Sequence, residues 1–172
     1  LKAADAADTQ DQLAAALLAR QCDFDLIDDD LLSTAKLEGG TVAAGAMRYD
    51  TIVCGSVRWM QPESRDLLAR FAQAGGRVLC LGAAPGTDGG PAADAAGMRV
   101  CDSADALVAQ AGPTLRIDPP ATSIRATART TENGGIAALF NEGSEPYAGA
   151  FAVDAPNAYL LDPQTGTVAR CP

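Results

Sequence analysis

The sequence predicts an α/β protein: a parallel sheet with flanking helices, followed by a small antiparallel β part. Two apolar, β-branched runs, YDTIVCG at 49–55 and RVLCLG at 77–82, have the length and texture of strands buried on both faces. Between them Pro62 opens a segment in which Leu67, Leu68 and Phe71 recur at helical spacing, and Gly75-Gly76 stops it. Strand, helix and strand in that order pack as parallel strands joined by a right-handed crossover. After Gly112-Pro113 the texture changes to short alternating segments separated by turn signals, which places an internal boundary between 1–112 and 113–172.

Taken in order, residues 3–20 read as one amphipathic helix, with Leu13, Leu17 and Leu18 at three- and four-residue spacing and aspartates toward the N-terminal end. Residues 23–27 read as a short strand. Asp28 then caps a helical turn through Leu31, Leu32 and Ala35, which Glu38-Gly39-Gly40 ends. The loop 83–91 is rich in Gly and Pro, 98–101 reads as an edge strand, and 104–111 as a helix. In the second half, 124–129, 136–141, 147–153 and 158–161 read as strands of an antiparallel sheet. Asn133-Gly134 signals a hairpin, and the run 162–166 a turn.

The composition narrows the function classes. With 172 residues, 48% hydrophobic and 20% charged, the chain can bury a core of ordinary size. It opens on Leu1 and its first methionine is Met47, which reads as a piece or a processed product of a longer protein. No stretch approaches the roughly 20 apolar residues that span a bilayer. A net charge of −9 with thirteen scattered basic residues argues against nucleic acid and anionic membranes as partners. Five cysteines (Cys22, Cys54, Cys80, Cys101 and Cys171) show no CxxC spacing and read as free thiols, which leans toward a reducing, cytoplasmic compartment. The chain has no histidine, which removes Ser-His-Asp and Cys-His catalysis and most zinc sites.

Candidate sites are weighed against structural roles. Asp23, Asp25, Asp28, Asp29 and Asp30 offer hard oxygens for Mg²⁺ or Ca²⁺, but an EF-hand loop needs Gly where Asp28 stands, so a solvated strand end running into a helix cap explains them better. No metal or other cofactor is expected. The loop after 77–82 lies where open α/β sheets bind ligands, and it makes Gly82, Pro85, Gly86, Thr87 and Asp88 the ligand-binding candidates. It lacks a P-loop lysine and a GxGxxG order. Cys80, and Cys54 with Ser56, occupy strand ends where hydrolases of this class carry nucleophiles, yet neither lies in a nucleophile elbow and no imidazole exists to activate them. They read as core thiols. Trp59, Tyr49, Tyr147 and Tyr159 are isolated aromatics that suit a core or an interface better than a sugar platform. No catalytic residue is nominated.

The run YDTIVCGSVRWMQPESRDLLARFAQAGGRVLCLGAAPG, preceded by DFDLIDDDLL and GGTVAAGAMRYD, resembles the class I glutamine amidotransferase-like accessory domain of large bacterial glycoside hydrolases, notably α-L-rhamnosidase-like and β-galactosidase-like ones. ALFNEGSEP and YLLDPQTGTV look like the antiparallel β segment that follows it there, so the resemblance spans roughly 22–172. It implies a flavodoxin-like, amidotransferase-like sheet that has lost its Cys-His-Glu machinery, with a catalytic barrel domain of the same parent chain as partner and a homo-oligomer as a further option. The family's first sheet strand, which precedes the opening helix, is missing here. The expected function is therefore a non-catalytic structural or interaction domain. A carbohydrate or small-ligand module using loop 82–90, and a thiol-dependent hydrolase, are the alternatives.

Overall fold

In the computed structural model the described residues are 3–88, 90–131, 134–152 and 157–171. Helix α1 (Ala3–Ala19) ends where Gln21 enters the left-handed region at φ 55°. Residues 23–27, expected as a strand, pair with no neighbouring strand. The reason lies in their carboxylates: Asp23 turns toward Thr127, Ala128 and Arg129, Asp25 toward Tyr49, and Leu26, which follows them, is 91% exposed.

Asp28 caps α2 (Asp29–Thr34), its Oδ1 accepting from Leu31 N–H at 2.7 Å. The next segment departs from the sequence reading. Gly39-Gly40 does not merely stop a helix but forms the turn between β1 (Lys36–Glu38) and β2 (Thr41–Ala44), with φ 57° and 81°, the two positive values a tight hairpin turn requires. A second hairpin joins β2 to β3 (Met47–Tyr49), giving an antiparallel sheet in the order β1-β2-β3.

The strand–helix–strand unit is present. Strand β4 (Thr51–Cys54), helix α3 (Pro62–Gln73) and β5 (Arg77–Leu81) are followed by β6 (Arg99–Cys101), all three strands parallel and ordered β4-β5-β6. Helix α4 (Ala104–Ala111) starts at Ser103, whose Oγ accepts from Ala106 N–H at 3.2 Å. Alternation along the strands sends side chains to two cores. Val78 and Cys80 join Leu67, Leu68 and Phe71 of α3, with Leu32 and Val42 closing that side. Val53, Leu79, Leu81 and Cys101 face Leu13 and Leu17 of α1 and Leu107 and Val108 of α4. The result is a helix–sheet–helix sandwich in which α1 and α4 share one face and α3 covers the other.

The second half is not one antiparallel sheet. Among the described residues it holds three separate two-stranded ladders: β7 (Arg116–Asp118) with β10 (Ala150–Ala152), β8 (Ile124–Thr131) with β9 (Gly134–Asn141), and β11 (Tyr159–Leu161) with β12 (Val168–Arg170). Asn133, the first residue of the hairpin signal, lies outside the described residues, but the register places Thr131 opposite Gly134. The ladder β8–β9 is stitched to α1 by Gln21, which is 6% exposed and donates through Nε2 to Ile124 O at 2.7 Å and Ala121 O at 3.0 Å. Among the described residues no helix is long and apolar enough to cross a membrane.

Candidate functional site at the carboxyl edge of the parallel sheet

A cavity of about 580 Å³ opens where β4, β5 and β6 end. The strand ends supply Ser56, Val57 and Arg58 after β4, and Leu81, Gly82 and Ala83 after β5; Asp102, Ser103 and Ala104 follow β6, and Thr9 and Gln12 reach in from α1. Helix α1 comes this close because position 55 is glycine: a Cβ there would sit 2.8 Å from Leu13 Cδ2. The next residue, Ser56, stands at φ 58°, a left-handed conformation that a non-glycine residue rarely adopts.

Of the five ligand-binding candidates, only Gly82 lines this cavity. Pro85 and Gly86 are buried inside the loop. Arg65 Nε donates to Pro85 O at 2.9 Å, and a short parallel bridge ties Gly86 to Trp59, with Met60 N–H donating to Gly86 O and Gly86 N–H to Arg58 O. Any side chain at position 86 would run into the carbonyl of Gly90. Thr87 is used through its carbonyl, which accepts from Trp59 Nε1 at 2.6 Å, and Asp88 is exposed. Residues 84–87 are thus knitted into the fold through their backbone.

Cys54 and Cys80 are register partners on adjacent strands and share a thiol hydrogen bond, which together with burial pushes the Cys54 thiol well above its usual value. Cys80 is fully buried. The same hydrogen bond, with the charge of Arg65, outweighs burial and draws the Cys80 thiol below its usual value, but burial closes both sulfurs to a substrate. Ser56, in contrast, is half-buried at the cavity, and no side-chain hydrogen bond joins it to a base among the described residues.

The aspartates that looked like a cation site are committed to the fold. Asp29 Oδ2 accepts from Gln61 N–H at 2.7 Å and its Oδ1 from Ser64 Oγ at 2.5 Å, Asp30 accepts from Gln61 Nε2, and Asp28 is the cap of α2. Asp23 and Asp25 line a second cavity of about 570 Å³ with Tyr49, Thr114 and Arg129. Burial alone would raise the Asp23 carboxyl. Hydrogen bonds from Thr127, Ala128 N–H and Arg129, with the charge of Arg129, outweigh it and hold the group below its usual range. Among the described residues no cluster of Asp, Glu or Cys has the arrangement of a metal centre.

The aromatics do not gather. Trp59 leans on the 82–90 loop, Tyr49 donates to Asp25 Oδ2 at 3.0 Å, Tyr147 donates to Pro119 O at 2.8 Å, and Tyr159 is 64% exposed on β11. Sequence reading singled out Ser56 only as a nucleophile candidate and passed over Gln12, Arg58 and Asp102. The signal for them was the place rather than the residue type, since each follows a strand end or sits on the helix above it. Comparison with protein-family models, curated proteins and solved structures gives no match to this chain.

Proposed function

We propose that this chain is a non-catalytic structural and interaction domain of a multidomain glycoside hydrolase. On this reading the sheet is of the flavodoxin-like, amidotransferase-like kind, the boundary falls near residue 113, and the catalytic residues belong to a barrel domain of the same polypeptide. The observation that carries the interaction role is the surface of the β part. Every residue of β9, β10, β11 and β12 is exposed, and Ile136, Phe140, Phe151, Tyr159, Leu160, Leu161 and Val168 are 44–65% exposed. Two-stranded ladders are marginal alone in water, and apolar side chains at this density mark a surface that another protein surface covers.

The order of motifs over 22–172 supports the barrel as that partner. The non-catalytic half of the reading is supported by the burial of Cys54 and Cys80 and by the commitment of Asp23, Asp28, Asp29 and Asp30 to structural hydrogen bonds.

Hydrogen exchange separates this reading from its rivals. Segments 134–141 and 159–170 should exchange fast in the purified chain and become protected in the whole polypeptide encoded by its reading frame; equal exchange in both removes the interaction role. The purified chain should release no nitrophenol from nitrophenyl glycosides. Turnover that a single carboxylate substitution abolishes would end the non-catalytic reading.

A further inference from the structure

We infer that the cavity at the carboxyl edge of β4-β5-β6 binds a small hydroxylated anion, a sugar acid or a sugar phosphate, independently of the interaction surface on the β part. Open parallel sheets bind ligands just outside the carboxyl ends of their strands, and the cavity lies there. Its volume of about 580 Å³ falls in the range of small-molecule pockets, roughly 300–1,000 Å³. Its floor is apolar, with Val57, Leu81, Ala83 and Pro91, the kind of surface on which the C–H face of a sugar rests.

Four polar side chains on its wall are unspent. The side chains of Gln12, Ser56, Arg58 and Asp102 make no hydrogen bond or ion pair within the described residues, whereas six other arginines are held in salt bridges. The Arg58 guanidinium matches a carboxylate or phosphate in charge and in its planar fork of donors. Ser56 and Gln12 both donate and accept, and Asp102 accepts from hydroxyls, so the set is complementary to an anion carried on a polyol. Ser56 is also held at φ 58°, and a polar side chain fixed in a sparsely populated conformation at a cavity wall is a recurring mark of ligand sites. In a chain of net charge −9 general electrostatics repel anions. Any preference for an anionic sugar must therefore come from a local cation, and Arg58 is the one this cavity has.

Calorimetric titration of the chain with D-glucuronate, D-glucose 6-phosphate, D-glucose and inorganic phosphate tests this. One of the two charged sugars should bind at least about tenfold more tightly than both D-glucose and inorganic phosphate, and which of the two does so identifies the anion. Arg58→Gln should reduce that affinity to the level of D-glucose. Ser56→Gly, which removes the hydroxyl and relaxes the backbone, should weaken it several-fold while leaving the thermal midpoint unchanged or higher. Silence of both charged sugars up to about 10 mM overturns the inference. So does phosphate alone binding as tightly as glucose 6-phosphate, or an Arg58→Gln chain that melts normally and binds as before.

Discussion

Asp23 and Arg129, 106 residues apart in sequence, are joined Oδ2 to Nη1 at 2.5 Å. The same oxygen accepts from Thr127 Oγ1 at 2.7 Å and from Ala128 N–H at 3.1 Å. One carboxylate thus fastens the β8–β9 hairpin to the segment that follows α1.

That fastening gives a pH dependence of known sign. The folded-state pKa of Asp23 is depressed, so its contribution is fully present above the unfolded value, about 3.9, and is lost as pH falls through the lower folded value. Chemical denaturation should show stability declining below about pH 4, with Asp23→Asn flattening that decline. At pH 7 the substitution should cost roughly 1–2 kcal/mol, kept low because the Arg129 side chain is half exposed. An unchanged low-pH profile in Asp23→Asn would mean that another carboxylate is responsible.

Gly76→Ala should destabilise by roughly 2–3 kcal/mol. A Cβ at this position would overlap the ring of Phe71, which α3 buries fully in the cluster with Val78 and Cys80 of β5. Thermal melting of the single variant reads the loss directly.

Gln21 offers a separable pair of effects. Gln21→Ala removes the donor to the carbonyls of Ile124 and Ala121 and should cost about 1–3 kcal/mol. Gln21→Gly loses the same hydrogen bonds but relieves φ 55°, so it should be the more stable of the two by about 1 kcal/mol. The order of the two denaturation midpoints decides the point.

Cysteine labelling should sort the thiols cleanly. With iodoacetamide near pH 8, Cys171, which is partly exposed, should be alkylated in the folded chain. Cys22, Cys54, Cys80 and Cys101 should wait for denaturant, since all four are buried; burial pushes the Cys22 and Cys101 thiols up, and the hydrogen bond with Cys80 together with burial pushes up that of Cys54. Rapid labelling of Cys54 or Cys80 by mass spectrometry would reopen the thiol-enzyme alternative.

How much of this was legible in the sequence depends on the scale of the signal. The β4–α3–β5 unit was readable because its strands are continuous apolar runs, buried in β5 and partly buried in β4, and its helix carries Pro62 at one end and Gly75-Gly76 at the other. The β1-β2-β3 sheet was not, because three- and four-residue strands such as Lys36–Glu38 are too short to show a period, and Gly39-Gly40 serves equally as helix stop and hairpin turn. The 23–27 segment misled because alternation of Asp with Phe and Leu imitates a strand, while Asp23 is spent on partners more than a hundred residues away and Asp25 on Tyr49. The cavity was half visible: its address at the strand ends followed from the predicted topology, but the left-handed Ser56 and the unpaired Arg58 emerge only when α1 is laid over Gly55.

The β8–β9 ladder also governs how this chain behaves when it is crowded. Strand β9 runs for eight residues, GGIAALFN, without a charge or a proline, and within the described residues it pairs on one side only, with β8. Natural edge strands are usually blunted by lysine, proline or a bulge, because an open row of N–H and C=O groups recruits further strands. Residues 135–141 carry none of these devices, so their flank away from β8 sets the solubility ceiling of the chain whenever its covering surface is missing. A single Ala138→Lys should raise the concentration at which light scattering begins.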